Sequence, residues 1–474
     1  MVNGSERSLV LTYIMDMQND SQIPTASLKK TGVLIATDNM IESSYISEVL
    51  IKKGYDVKFC EFDGRTLKGT PIVPPSAVLF VFSDYIENTP AIIAALKKHY
   101  APKDIPFIGA LTRQGNFDKT AFDSIIFPPA HITQIANRVS SMIRLGDMER
   151  EIMRRVETLR EDFNIDYTLS DDVLNNPFRI LFIGKATPEF MVIINALQKK
   201  NVEVVAAFTS FSAFDYLHER AFDAVVMNAL EQSEPALTIS EAMRRNAKLF
   251  HVPSLFLIDP DTFQDRELAY KKGARDIISS NADTQEISGR ILELANYHRM
   301  HDQLKREFNS IGGETCLDTA SGVFNEAFFR AHVRRVCETA RHVQEPVSLM
   351  AIRVRPNAHF DIPKIRVDEA IAQIGAILKS LVRMQDITAR MDQDIFMIAF
   401  SGHDRASVAP VIKRIEGIVD CAAFESGNSQ NGAFTMSLEP VLVEMMPHEN
   451  SKSLIESALS ELTGEPMSDN RISA

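Results

Sequence analysis

The sequence predicts an α/β protein of about three domains, two of them parallel sheets covered by helices on both faces, and three observations carry that reading. The chain has 474 residues, too long for one core at a prior of about 150 residues per domain. Short β-branched apolar runs alternate with amphipathic segments, the pattern of βα units. That pattern occurs twice in tandem before the chain changes character near residue 317.

The first copy, residues 31–145, reads "GVLIATDN", "LIKKGYDVKFC", "AVLFVF", "IPFIGALT" and "SIIFPP". The second, residues 178–298, reads "FRILFIGK", "LQKKNVEVVAAF", "FDAVVMN", "VPSLFLID" and "GARDIIS". Residues 146–177 form a linker helix, 299–316 a second linker, and 317–466 a third domain. Residues 1–30 are polar and aperiodic, so an unstructured extension is expected there, and 467–474 form a tail.

Hydrophobic residues make up 45% of the chain and charged residues 24%, the balance of an ordinary globular protein. The net charge of -12 disfavours non-specific attraction to nucleic acid or anionic membranes, so an anionic ligand needs a local Arg cluster. Cys60, Cys316, Cys337 and Cys421 have no zinc or disulfide spacing, which fits a reducing cytoplasm. The run "SLVLTYIM" is too short to span a bilayer and lacks a basic leader, so neither membrane insertion nor secretion is expected.

The strand order, with Gly273-Ala274-Arg275-Asp276-Ile277-Ile278 before the last strand, resembles the CheY-type receiver domain of two-component response regulators, a flavodoxin-like fold. Receivers hold Mg²⁺ on an acidic pair and phosphorylate an Asp after strand three. In the first copy the acidic pair reads Thr37-Asp38, Asp84 lies slightly late for the acceptor, Thr112 supplies the hydroxyl, and Pro128 stands at the Lys position. In the second the positions read Gly184-Lys185, Asn228, Ile258 and Ser280. The resemblance implies degenerate phosphoacceptors at Asp84 and Asn228, and receivers that serve as dimerisation and docking scaffolds.

Each copy runs into a long helix. Ile132, Ile135, Val139, Met142, Ile152, Val156 and Leu159 recur at threes and fours, as do Ile287, Ile291, Leu294, Leu304 and Phe308. The part of each stripe beyond the receiver core suggests pairing between chains, hence a homodimer.

The third domain opens "CLDTASGVFNEAFF" and carries the strand–turn–strand "DITARMDQDIFMIAF". These, with "VSLMAIRVRPN" and "AFTMSLEPVLVE", resemble the GGDEF domain of diguanylate cyclases. Asp318, Gly322, Asn325 and Phe329 match that family's opening motif. Two receivers followed by this domain is the order of PleD-type response regulators, and the altered signature resembles PopA-like cyclic di-GMP effectors.

Condensing GTP onto a ribose hydroxyl needs carboxylate-held Mg²⁺ and a glycine turn that lets the backbone approach the nucleotide. Here the turn reads Asp392-Gln393-Asp394-Ile395, so both glycines have gained side chains and the fourth carboxylate is Ile395. Arg353 stands where the family places a metal Asp, a change of sign that repels a cation. A triphosphate-contacting Lys falls at Thr463, while Asp394 and Asp368 match the family's catalytic acidic and guanine-binding positions. No catalytic residue and no metal are expected. Arg390 reads as structural.

Arg383 and Asp386 form an R-x-x-D element whose Arg lies nine residues before Asp392, the interval of the family's product-inhibition site, which binds cyclic di-GMP as an intercalated dimer. Arg offers a planar donor fork for the guanine O6/N7 edge or a phosphate, and Asp accepts from the guanine N1 and N2 hydrogens. Arg414 on "APVIKRIEGI" occupies the place of the third contact.

The resemblance implies a catalytically inactive cyclic di-GMP receptor that recruits signalling or proteolysis-adaptor proteins, with cell-cycle control, regulated proteolysis and recruitment to the cell pole as settings. Two alternatives stand beside it: a residual cyclase or GTP-binding enzyme using Asp394 and Asp368, and a ligand-free dimeric scaffold.

Overall fold

A computed structural model describes residues 32–62, 67–82, 88–101, 103–111, 121–127, 130–170, 176–246, 248–263, 265–426 and 432–464. The expected extension, tail and "SGNSQNG" loop, together with Asp84, Thr112 and Pro128, lie wholly or mostly outside these residues.

The first sheet contains β1 (Gly32–Thr37), β2 (Asp56–Phe62), β3 (Leu67–Lys68), β4 (Ala77–Phe82), β5 (Phe107–Leu111) and β6 (Ser124–Ile126). Its order is β3-β2-β1-β4-β5-β6, parallel except for β3 at the edge. The second contains β7 (Arg179–Ile183), β8 (Glu203–Ala207), β9 (Ala224–Ala229), β10 (Ser254–Ile258) and β11 (Asp276–Ser279), in the order β11-β10-β9-β7-β8. Leaving β3 aside, both are doubly wound sheets whose order reverses beside the first strand, the flavodoxin-like arrangement expected from the sequence. Continuous apolar strands such as "AVLFVF" are buried along their whole length because helices cover both faces.

The third sheet combines β12 (Phe324–Asn325), β13 (Val347–Asn357), β14 (Ile387–Arg390), β15 (Ile395–Ser401), β16 (Phe424–Glu425) and β17 (Ala433–Glu444). Its order is β12-β14-β15-β13-β17-β16, with β13 antiparallel to both β15 and β17. The helices Lys364–Leu381 and Arg405–Val419 pack on one face, and Glu326–Val343 and Ser451–Thr463 on the other.

The long helices correct one expectation. In the Ile132–Phe163 helix, Ile135 and Val139 enter the core of the first domain, whereas Ile152, Val156 and Leu159 enter that of the third. In Thr284–Ser310, Ile287, Ile291 and Leu294 serve the second domain, while Phe308 joins the third-domain core and Leu304 packs against it. The stripe beyond each receiver core is therefore covered within one chain. The same apolar spacing suits either partner, and the third domain supplies the nearer one. These residues give no surface for pairing between chains.

Candidate functional site

The turn between β14 and β15 closes by backbone bonds, the Met391 N–H donating to the Ile395 carbonyl at 2.8 Å and the Val354 N–H to the Asp394 carbonyl at 2.8 Å. Neither Asp392 nor Gln393 has positive φ, so the turn forms without glycine. Asp392 and Gln393 are exposed, and Ile395 is buried in the apolar core. Arg390 donates to the carbonyls of Asp392 and Gln393 and pairs with Asp318 at 3.4 Å. Arg390 therefore braces the turn.

On the adjoining strand Arg353 stands opposite Ile395 in the ladder and lies 3.8 Å from Asp394. Arg355 pairs instead with Glu439 at 3.4 Å. Asp368 is exposed on the Lys364–Leu381 helix, and the Thr463 hydroxyl donates to the Ser460 carbonyl at 3.4 Å. The divalent cation that the resemblance implies does not fit this donor set: a guanidinium occupies the position beside Asp394. Among the described residues no group of three or more His, Cys, Asp or Glu is arranged to hold a metal.

The receiver-type positions are occupied differently in the two copies. Thr37 is buried and its hydroxyl oxygen accepts from the Ser43 hydroxyl at 2.7 Å, leaving Asp38 exposed beyond it. Asn228 donates to the Lys185 carbonyl at 2.7 Å and accepts from the Leu230 N–H at 3.1 Å. Gly184 has φ +124°, and a Cβ there would lie 2.8 Å from Asn228 Cβ. Ile258 is fully buried. The place of the phosphoacceptor in the second copy thus acts as a loop brace.

Arg383, Asp386 and Arg414 line a single cavity of about 960 Å³, a volume at the upper end of small-molecule sites. Arg383 and Asp386 flank a tight turn in which the Asp386 N–H donates to the Arg383 carbonyl at 3.0 Å and the Arg383 N–H donates to Asp386 Oδ2 at 2.9 Å. The backbone, not a side-chain ion pair, ties the two together. The Asp386 Oδ1 is buried without a hydrogen-bond partner among the described residues. Burial pushes this carboxyl up to about 7, with the Arg383 N–H and the Arg383 and Arg155 charges opposing the shift and Glu151 adding to it.

Sequence reasoning missed His403 and the walls of the cavity. The Arg383 guanidinium meets His403 Nε2, while His403 Nδ1 donates to the Ser401 carbonyl at 2.8 Å, which leaves Nε2 as the acceptor. Arg150 and Arg154 from the Ile132–Phe163 helix, and Lys103 from the first domain, also line the cavity. Beneath it, buried Arg155 donates to the carbonyls of Met384 at 3.1 Å and Asp386 at 3.4 Å. Glu151 holds Arg155 at 2.7 Å and accepts from His332 Nε2 at 2.9 Å. Burial raises the Glu151 carboxyl, but His332, Arg155 and Arg154 together hold it well below the ordinary carboxylate range. The charged run "GDMEREIMRR" was the available signal; its apolar period alone drew the sequence reading.

Residues 315–464 match the model of the family "Diguanylate cyclase, GGDEF domain". The chain is 24% identical over 208 residues to the response regulator PleD of Caulobacter vibrioides, a match covering 43% of this chain and 45% of that relative. The match thus spans under half of the relative's length. The fold is similar to that of the GGDEF domain of DgcB from Caulobacter crescentus, solved in complex with c-di-GMP, at 18% identity, 32% of this chain, 87% of that one and a TM-score of 0.28. The FimX GGDEF domain from Pseudomonas aeruginosa gives 18% identity, 32% and 93% coverage and a TM-score of 0.27. The C-terminal unit is a GGDEF domain, carried by a chain similar to the response regulator PleD.

Proposed function

We propose that this chain is a cyclic di-GMP receptor whose GGDEF domain performs no cyclase chemistry. The observation that carries the reading is the convergence of Arg383, Asp386 and Arg414 on one cavity in which Asp386 keeps an unused buried oxygen. A buried carboxylate oxygen without a donor costs free energy that a ligand donor offsets, and the guanine N1 and N2 hydrogens are such donors. The intercalated dimer of the dinucleotide supplies several guanine edges and phosphates to one cavity, matching the three side chains. At the signature turn, Arg353 is paired with Asp394 and Ile395 is buried, a combination with no carboxylate pair for Mg²⁺.

The same reading has the receivers dimerise the chain and dock signalling or proteolysis-adaptor proteins, with cell-cycle control as the setting and recruitment to the cell pole by those partners. Ile41, Tyr45 and Ile51, exposed on the Met40–Lys52 helix, offer a surface for such contacts.

Calorimetric titration of the full chain with cyclic di-GMP, beside incubation with GTP and Mg²⁺, tests the reading. Saturable binding lost in Arg383→Ala, with no dinucleotide formed from GTP, supports it. Product formation returns the residual-cyclase alternative, and absence of binding returns the scaffold.

A further inference from the structure

A separate cavity of about 440 Å³ lies where the Ile132–Phe163 helix meets the second domain. Thr133 and Asn137 of the helix line it, with Ser240, Arg244, Lys271 and Arg275 opposite, and no Asp or Glu is among its lining residues. The carboxylates nearby are already engaged: Glu267 pairs with Lys271, Glu241 with Arg245 and Lys272, and Asp276 with Arg290. Arg244 and Arg275 have no ion-pair partner among the described residues; Arg244 spends one N–H on the Lys271 carbonyl.

Two more cations stand at the adjoining edge. Lys53 and Arg144 line the neighbouring 960 Å³ cavity, and Phe250 lines both cavities. Lys53 reaches the Asn137 side-chain oxygen at 3.1 Å. These charges lie close enough to oppose one another. The Lys53 ammonium is lowered by burial first, then by Arg275 and Arg144. Arg275 is exposed to solvent but lines the cavity, and its guanidinium is lowered first by burial, then by Arg144 and Arg244, with Tyr297 opposing. In a chain of net charge -12, a gathering of mutually repelling cations whose nearby carboxylates are engaged elsewhere and do not line the cavity is the electrostatic footprint of an anion site.

We propose that this junction binds a small phosphate-bearing molecule, held by Arg144, Arg244 and Arg275 with Lys53 adding charge. Guanidinium forks match phosphate oxygens in pairs, the cavity volume lies within the small-molecule range, and Phe250 offers an aromatic face to any base attached to the phosphate. The occupant would tie the helix whose C-terminal half packs in the third-domain core to the second domain. The proposal does not rest on the dinucleotide reading, although Lys53, Arg144 and Phe250 also line the cavity of that reading.

The test is thermal unfolding of the full chain carrying Arg383→Ala, which removes the R-x-x-D element from the measurement. Pyrophosphate and AMP are titrated separately, with KCl holding ionic strength constant. The expected result is a saturable rise in Tm of about 3 °C with at least one probe. Adding Arg275→Gln abolishes that rise and, without anion, leaves Tm equal or higher because repulsion is relieved. A rise with pyrophosphate assigns the site to the phosphate alone. A rise with AMP only, lost in Phe250→Ala, assigns it to a nucleotide. No saturable rise with either probe overturns the proposal. An equal rise in Arg275→Gln, or an anion-free Tm several degrees lower in that variant, does so too.

Discussion

Two polar regions of the GGDEF domain differ in how their charges are spent. At the signature turn the groups satisfy one another: Arg353 faces Asp394, Arg390 grips the turn carbonyls and Asp318, and Ile395 is in the core. At the Arg383–Asp386 turn the backbone closes itself, leaving the guanidinium on a neutral His403 nitrogen and one carboxylate oxygen unused. Internal pairing spends the charges of the first region on one another, and incomplete pairing leaves the second with a buried carboxylate oxygen that no described group satisfies. The difference lies in which polar atoms are satisfied, not in how many charges are present.

The largest effect expected from breaking this contrast is at Arg383. Arg383→Ala lowers cyclic di-GMP affinity about 100-fold by calorimetry, the scale of a lost charge-assisted pair. Unchanged affinity would move the site elsewhere.

Next is pH. The ligand needs the Asp386 carboxylate, whose folded value is about 7, so affinity is highest above that pH. It falls about tenfold per unit well below it. Asp386→Asn weakens binding and flattens the profile. For stability the sign is opposite. A folded carboxyl raised above an unfolded Asp keeps its proton between about pH 4 and about 7, so its contribution falls as pH rises through that window. Urea unfolding of wild type and Asp386→Asn across the window shows the slope in the first and not the second.

Arg414→Ala is expected to weaken binding about tenfold, since Arg414 shares the cavity wall from a separate helix and also donates to the Leu381 carbonyl. Arg353→Ala is the smallest perturbation, changing cyclic di-GMP affinity less than about twofold because its partner lies at the other region. A large effect there would merge two regions that the structure keeps apart.

Much of the fold was legible because buried parallel strands are written as short, nearly continuous apolar runs, as in "AVLFVF" and "SLFLI". Arg383 and Asp386 were legible by spacing, and Arg414 by its helix. His403 was not, because its role depends on a loop after β15 returning to the Arg383 turn. Nor were Glu151 and Arg155, separated from their third-domain partners by long stretches of chain. Periodicity identified the apolar stripe of their helix but not what would cover it. The same limit hid the cluster of Lys53, Arg144, Arg244 and Arg275, which comes from four stretches of sequence.

The most direct test is a structure of the full chain with cyclic di-GMP. The account predicts a guanine edge within hydrogen-bond distance of Asp386 Oδ1, with the Arg383 guanidinium turned from His403 onto the dinucleotide. A complex in which Asp386 Oδ1 stays bare, or in which the nucleotide sits beside Asp394 with Mg²⁺ in place, would contradict it.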